Sequence, residues 1–200
     1  MIEWIKQNDE LDPIIFDNNS TYPHLLDWYN TNPCQILRVP FNSGHYGIFQ
    51  TGIIEQVRTQ YYIIADPDFD MSSVPLDVIE KMKIGLSRYP NYGKCGLSIR
   101  IDDLPDGFPG KQDIIQWEDK YWKEPLDDLF YKADVDTTFA LYDSSRLRHY
   151  TYDAIRIAPP YVARHIPWYL TKDNISDEFK YYCAHNEGSA NICGYCRSII

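Results

Sequence analysis

The chain has 200 residues, of which 44% are apolar and 15% aromatic, and its formal net charge is −10 at pH 7. This length suits one domain with a sizeable core. Nucleic acid is not expected as a partner, because the sequence has no basic cluster to match phosphate charges. The sequence has no run of about 18 apolar residues, so no membrane-spanning helix is expected. No charged-then-apolar leader opens the chain, so we expect a cytoplasmic protein.

Short apolar runs that stop at polar or turn-forming residues predict a series of strands. The run "YYIIA" is rich in β-forming residues on both faces, which is typical of a strand covered on both sides. The predicted strands span residues 13–16, 35–39, 61–65, 95–101, 136–142 and 154–158.

Helical signals lie between these strands. Ser20 or Thr21 can cap a helix that starts at residue 22, and serines with Pro75 mark the start of another. The predicted helices span residues 22–30, 72–90 and 114–123, the last of which is alternatively an irregular aromatic segment. Alternating strands and helices predict an α/β layered domain.

Three of the predicted strands end in acidic residues. These are Asp17, the pair Asp66 and Asp68, and the pair Asp102 and Asp103. Ligands of α/β sheets bind beyond the carboxyl ends of the strands. The sequence therefore predicts a cleft lined by carboxylates.

The stretch Asp66-Pro67-Asp68 has two interpretations. Carboxylates this close repel one another unless a cation lies between them, and a hard divalent cation takes carboxylate oxygens readily. Pro67 fixes φ and restricts the turn. Alternatively, the stretch is an acidic turn that precedes the N-terminus of the next helix, where acids are favoured.

The order of several sequence blocks resembles one enzyme family. "YYIIADPDFDMSSVPLDVIEKM" resembles the DxD strand and following helix of the GT-A glycosyltransferases, which transfer a sugar from a nucleotide-diphosphate donor to an acceptor. "IIFDNNSTYPHLLDWY" and "LRVPFNSGHYG" are similar to nucleotide-contacting turns of these enzymes. "GLSIRIDDLPD", "DTTFALY" and "PPYVARHIPWY" are similar to later blocks of a subgroup from bacterial surface-polysaccharide synthesis and from large DNA viruses.

The resemblance implies a Rossmann-like α/β fold with a mixed, mostly parallel central sheet flanked by helices. Residues 1–200 would form one such domain, with a nucleotide- and metal-binding half at about 1–100 and an acceptor-binding half at about 101–200. The segment "MIEWIKQNDELD" is similar to the helix before the family's second strand, so the first strand is either absent from this chain or replaced at that sheet edge. The chain would then be one domain of a longer polypeptide or a rebuilt form of the fold.

The resemblance also implies a donor site for a UDP- or GDP-sugar. Asp68 would hold Mn²⁺ or Mg²⁺, with Asp66 on the metal or on the ribose, and the metal would bind the diphosphate. A late histidine often completes such sites, and His165 fits this role better than His185. Arg164 is a candidate for phosphate contact. The other residues implied at the nucleotide are Asp17, Asn18, Ser20, Asn42 and Gly44.

Catalysis by inversion needs a general base for the acceptor hydroxyl. The resemblance points to Asp136 as base or sugar contact and to Asp103 as a sugar contact, and it leaves inversion or retention open. Trp117, Trp122 and Trp168 are candidates for stacking on the acceptor sugar, with core packing as the alternative. A nucleotidyltransferase with a similar core and a non-catalytic sugar- or metal-binding module are the alternative functions.

Five cysteines with no leader favour reduced thiols. The segment "CAHNEGSANICGYC" offers Cys183, His185, Cys193 and Cys196 as zinc ligands, but its spacing is loose and it holds one CxxC pair. Free thiols are therefore the favoured interpretation.

Overall fold

The computed structural model describes residues 1–32, 34–135, 138–146, 154–185 and 191–200, with the backbone alone at residue 191. These residues form two compact units. The first contains Met1 and Arg58–Thr171, and the second contains Ile2–Val57 and Lys172–Ile200. The acidic turn at Asp66 belongs to the first unit and the turn at Asp17 to the second.

Strands and helices alternate along much of the described chain. The strands are β1 (Ile14–Asp17), β2 (Gln35–Arg38), β3 (Tyr61–Ala65), β4 (Phe69–Asp70), β5 (Lys94–Ile99), β6 (Phe130–Lys132), β7 (Phe139–Asp143) and β8 (Ala154–His165). The α-helices are α1 (Ile2–Ile5), α2 (Pro23–Tyr29), α3 (Gly47–Gln50), α4 (Val78–Arg88), α5 (Lys111–Asp119), α6 (Asp177–His185) and α7 (Asn191–Cys196). Short 3-10 helices span Ile54–Gln56, Lys120–Trp122 and Ile166–Tyr169.

The sheet of the first unit has the strand order β3-β7-β5-β8-β4, and β6 also pairs with β8. β5 and β8 are parallel, whereas β7 runs antiparallel to both β3 and β5. β4 and β6 are antiparallel to β8. In the second unit β1 and β2 form a parallel pair.

These pairings confirm an α/β protein with a mixed sheet, but they do not show the mostly parallel sheet that we expected. Only two of the six pairings among the described strands are parallel. The physical reason is the position of β7, which is inserted between two strands that run the other way.

The core of the first unit lies between β5 and α4. All six residues of β5 are buried, and α4 buries the face that carries Val78, Ile79, Met82 and Leu86. The helix starts at Val78, later than the predicted residue 72, so Pro75 precedes the helix instead of lying in its first turn. The predicted helix is nevertheless correct over its middle and its end.

The aromatic segment after residue 110 is a helix, α5, that continues into a 3-10 turn. Glu118 on α5 is 3% exposed and accepts a hydrogen bond of 2.7 Å from Arg156 on β8. Burial of this pair attaches α5 to the sheet.

The second unit shows two departures from the sequence prediction. Neither Ser20 nor Thr21 caps α2: the N-cap is Tyr22, which makes no side-chain cap bond, and Pro23 starts the helix. A proline in the first turn needs no N–H partner there, so a capping side chain is less necessary. The predicted strand at 13–16 is present as β1, but Ile14 is 54% exposed rather than buried.

The predicted reduced thiols are wrong for two cysteines. Cys183 at the end of α6 and Cys193 on α7 form a disulfide, while Cys34, Cys95 and Cys196 are free. Within the ranges described above, no helix has both the length and the hydropathy needed to cross a bilayer. The cytoplasmic location stays a prediction.

Candidate functional site

The acidic turn lies where β3 leaves the sheet. Asp66 donates its backbone N–H to the carbonyl of Thr138, just before β7, at 3.1 Å. Three residues later the chain enters β4, which pairs with the end of β8 so that Phe69 lies opposite His165. This register brings Asp68 beside a histidine that is 97 positions away in the sequence.

Asp68 and His165 form the centre of the candidate site. The Nε2 atom of His165 lies 3.1 Å from Oδ2 of Asp68. The second carboxylate oxygen, Oδ1, and the second ring nitrogen, Nδ1, are both buried and have no hydrogen-bond partner among the described residues. Buried polar atoms without partners are uncommon in folded proteins and often mark sites for a water or an ion.

Aromatic side chains and a backbone bond hold this pair in place. The ring of His165 lies 4.9 Å from that of Phe69 and 4.7 Å, edge-on, from that of Trp168. The carbonyl of Asp68 accepts the N–H of Ile166 at 2.9 Å. Trp168 is buried, so it packs on the histidine and is not a sugar-stacking surface.

The third aspartate of the turn has a different role. The carboxylate of Asp70 accepts the backbone N–H of Ser72 at 2.9 Å. Its pKa is lowered mainly by hydrogen bonds from Ser72, with a contribution from the charge of Arg164. Asp70 therefore stabilises the turn that leads to α4. This role agrees with the alternative interpretation of the stretch as an acidic turn that precedes a helix, for Asp70 alone.

Asp103 is engaged by Arg164 and Tyr169. Arg164 donates to Oδ2 of Asp103 from Nε at 2.8 Å and from the guanidinium nitrogen Nη2 at 2.5 Å, and the hydroxyl of Tyr169 donates to Oδ1 at 2.5 Å. Burial alone would raise the pKa of Asp103, but the hydrogen bonds from Arg164 and Tyr169 and the nearby positive charges outweigh it, so the pKa is lowered. A carboxylate with a lowered pKa is a weaker base.

The structure therefore places two candidate residues, Asp103 and Arg164, in contact with each other. The charge of Arg164, proposed for a phosphate, is compensated by Asp103. Asp136, the other predicted catalytic residue, lies outside the described residues, as does the start of its predicted strand. These predicted roles stay predictions.

In the second unit Asp17 ends β1 and is buried. Its Oδ1 atom accepts the backbone N–H of Ser20 at 3.0 Å, and its Oδ2 atom lies 3.1 Å from Nε of Arg38. Arg38 also donates to the carbonyl of Ser20 at 2.7 Å. The pKa of Tyr29 is raised by burial and by the neighbouring charge of Asp17. Asp17 thus fixes the turn that follows β1.

Asn18 joins this turn to the one that follows β2. Its amide nitrogen donates to Oδ1 of Asn42 at 2.9 Å and to the carbonyl of Gly44 at 2.8 Å, and its Oδ1 accepts from Ser43. Asn42 in turn accepts the N–H of Gly44 at 2.9 Å. Gly44 has φ +75°, a conformation that favours glycine. Three of the predicted nucleotide-contacting residues, Asn18, Asn42 and Gly44, are thus joined by hydrogen bonds, while Asp17 and Ser20 bond to each other.

His185 lies in the last turn of α6, in the second unit. Its Nδ1 atom is 2.8 Å from the carbonyl of Tyr181, and its ring stacks on that of Tyr181 at 3.8 Å. Cys183 and Cys193 are joined to each other, which removes two of the four candidate zinc ligands. No group of three histidine, cysteine or acidic side chains gathers closely enough to hold a metal in the part of the chain that the structure describes.

Sequence reasoning did not identify two of the important partners. Tyr169, four residues after His165 in "HIPWY", supplies a hydrogen bond to Asp103, which is 66 positions away, and no local pattern in the sequence links the two residues. Glu118 was not singled out, although a charged residue among aromatic residues on a helix indicates a buried partner.

Comparisons with protein-family models, with curated proteins and with solved structures found no match to this chain. The geometry of the acidic turn at Asp68, the turns after β1 and β2, and the order of the sequence blocks are therefore the grounds for a functional hypothesis.

Proposed function

We propose that this chain is a metal-dependent glycosyltransferase that transfers a sugar from a UDP- or GDP-sugar to a hydroxyl group of a glycan. One observation carries the proposal: Asp68 and His165 face each other at 3.1 Å, and each keeps a buried polar atom without a partner among the described residues. The aspartate belongs to the Asp66-Pro67-Asp68 motif, and the histidine belongs to the "ARHIPWY" block of the same resemblance. The pairing of β4 with β8 brings these two motifs together although they are far apart in the sequence.

The residues present fit Mn²⁺ or Mg²⁺. A carboxylate oxygen suits either ion, and an imidazole nitrogen is a transition-metal ligand, which favours Mn²⁺ over Mg²⁺. Such ions are commonly held by one or two protein ligands together with phosphate oxygens and water, so two protein ligands suffice when a diphosphate is bound. Asp68 and His165 would hold the ion, with Asp66 beside them. When bound, it would offset the negative charge that develops on the leaving diphosphate.

The other candidate residues take roles that the resemblance supplies. The cluster of Asp17, Asn18, Ser20, Asn42 and Gly44 would meet the nucleotide. Asp136 would act as base or sugar contact. The parallel β5–β8 and β1–β2 pairs and the strand ends that carry acids support a GT-A-like fold, although the sheet is more antiparallel than expected.

One observation favours a second candidate, a non-catalytic module that binds a metal or a sugar. Asp103 is bound by Arg164 and Tyr169, and its pKa is lowered, so it is poorly suited to serve as the general base in place of Asp136. In that case metal or sugar binding would persist without transfer.

A thermal-shift screen with UDP- and GDP-sugars, with and without Mn²⁺, tests the proposal. A ligand at about 100 times its Kd adds about 2.7 kcal/mol of stability. For a chain of this size, about 2–4 °C per kcal/mol converts this to a rise in Tm of about 5–11 °C. We expect that rise only with Mn²⁺ and donor together, accompanied by Mn²⁺-dependent donor hydrolysis or transfer.

Variants at the centre of the site provide the decisive comparison. Asp68→Ala and His165→Gln should lose both the Tm rise and the hydrolysis while their own melting stays cooperative. Asp102→Asn is the matched control, because this aspartate is largely exposed and lies in the turn that follows β5. Full activity in Asp68→Ala would refute the proposal. Sugar binding without any Mn²⁺-dependent donor binding, hydrolysis or transfer would favour the module instead.

A further inference from the structure

Outside the acidic turn, an exposed aromatic surface stands out in the first unit. Trp117 on α5 is 59% exposed, which is high for the largest apolar side chain. Lys120 places its ammonium nitrogen 3.5 Å from the centre of the Trp117 ring and 4.6 Å from that of Tyr121. We call these three residues the Trp117 platform.

The Trp117 platform is held in place by Arg156, which contacts Tyr121. The guanidinium of Arg156 lies 4.1 Å from the centre of the Tyr121 ring, and the same group bonds to the buried carboxylate of Glu118. Arg156 also donates from Nε to the carbonyl of Asp134 at 2.9 Å. An aromatic surface fixed before binding loses little conformational entropy when a ligand arrives.

Charge decides what kind of ligand fits. The neighbouring lysines are neutralised, since Lys111 pairs with Asp106 and Lys123 pairs with Asp119. Lys120, by contrast, has no carboxylate within ion-pair distance among the described residues, and the aromatic rings hold its charge in place. In a chain with a net charge of −10, this is an unneutralised cation beside an exposed indole.

We propose that the Trp117 platform binds an acidic sugar residue, such as a uronic acid, of a glycan. The C–H face of the pyranose would lie on the part of the indole that Lys120 leaves exposed, and the sugar carboxylate would pair with the Lys120 ammonium. This inference rests on the proposed function, in which it specifies the acceptor as an anionic glycan. The binding itself needs neither nucleotide nor metal.

The test is calorimetry with two oligosaccharides of equal length: β-1,4-linked oligoglucuronate and β-1,4-linked cello-oligosaccharide, which differ in the carboxylate of each residue. Both are titrated into the full chain in the presence of EDTA. We expect the glucuronate to bind at least about ten-fold more tightly than the neutral oligomer, with an affinity that falls as salt is added.

Three variants complete the test. Trp117→Ala should weaken glucuronate binding by about ten-fold or more, and Lys120→Gln should remove the preference for the acidic oligomer. Trp28→Ala is the matched control, since Trp28 is an exposed tryptophan on a helix of the second unit, and it should bind as the wild type does. Unfolding curves check that each variant is folded, and Trp117→Phe provides a milder replacement.

The proposal is overturned if neither oligomer binds to the wild type or if both bind equally. It is also overturned if Trp117→Ala and Trp117→Phe both bind as the wild type does, or if Lys120→Gln keeps the full preference for the acidic oligomer. Its failure is separable from failure of the proposed function. Glycan binding in EDTA reports on the Trp117 platform, whereas the Mn²⁺-dependent Tm rise reports on Asp68.

Discussion

Removing the carboxylate of Glu118 should destabilise the protein more than any exposed ion pair could. The side chains of Glu118 and Arg156 are 4% and 5% exposed and lie 2.7 Å apart. Breaking a buried pair from one side costs about 3–5 kcal/mol, because the remaining charge is left buried without its partner. Arg156 keeps its bond to the Asp134 carbonyl and its contact with the Tyr121 ring, so Glu118→Ala should fall toward the lower end.

Replacement by glutamine separates charge from hydrogen bonding. Glu118→Gln keeps an oxygen that can accept from Arg156, so a hydrogen bond to a charged group, worth about 1.5–3 kcal/mol, is retained and we expect a smaller loss than in Glu118→Ala. Replacing both partners by methionine should recover most of the stability, since an apolar pair of similar volume pays no desolvation cost.

Urea unfolding followed by tryptophan fluorescence measures these differences. With a slope of about 2 kcal/mol/M, a loss of 3 kcal/mol lowers the midpoint by about 1.5 M. Asp106→Ala is the control, since the Asp106 carboxylate is fully exposed where it pairs with Lys111, and its loss should leave the midpoint unchanged. A loss of less than about 1 kcal/mol in Glu118→Ala would refute the reasoning, because it would mean that the pair is hydrated in solution.

Two further predictions concern the sheet and the candidate site. Gly96→Ala should lower the free energy of unfolding by about 1–3 kcal/mol in urea titrations, because the new methyl group would lie 2.4 Å from a Val135 methyl carbon. Adding Val135→Ala to the same chain should recover part of the loss. No recovery would contradict this explanation. Tyr169→Phe should raise the pKa of Asp103 toward its ordinary value, as measured by carboxyl-carbon NMR titration, because one of the hydrogen bonds that lower it is removed. A carboxyl group whose pKa is lowered in the folded state contributes stability above its unfolded-state pKa, and this stability is lost as the pH falls through its folded-state pKa. Tyr169→Phe should therefore be less stable than the wild type at neutral pH and lose less stability on acidification. An unshifted titration of Asp103 in this variant would contradict the role of Tyr169.

The strands that could be predicted from the sequence are those with clear local limits. β1, β2, β3 and β5 are apolar runs bounded by turn residues, and each was predicted to within two residues at either end. β4 and β6 were not predicted, because runs of two or three residues carry no periodicity of their own. Their existence depends on pairing with β8.

β8 itself was predicted only as far as residue 158. Pro159 and Pro160 lack N–H donors and normally end a strand. In the structure the pairing of β5 with β8 shifts register between Leu97 and Ser98, so both exposed prolines lie outside the hydrogen-bonded ladder and the strand continues to His165. The sequence shows the prolines but not the register shift that accommodates them.

The candidate site was predictable in its parts and not in its assembly. Acidic residues at strand ends follow from where apolar runs stop, so Asp17, Asp66 and Asp68 could be identified. The proximity of Asp68 to His165 depends on a two-residue pairing of β4 with β8 across nearly 100 positions. The proximity of Arg164 to Asp103 depends on the parallel pairing of β5 with β8. Local patterns contain no information on such a register.

The dual partnership of β8 has a consequence for motion. Near residues 155–157 this strand is paired on one side with β5 and on the other with β6, so its amide protons should exchange with solvent only when the whole unit opens. At its far end it pairs with only two residues of β4. The backbone near His165 should therefore open more readily than the backbone at residues 155–157, while the rings of Phe69 and Trp168 keep the imidazole oriented.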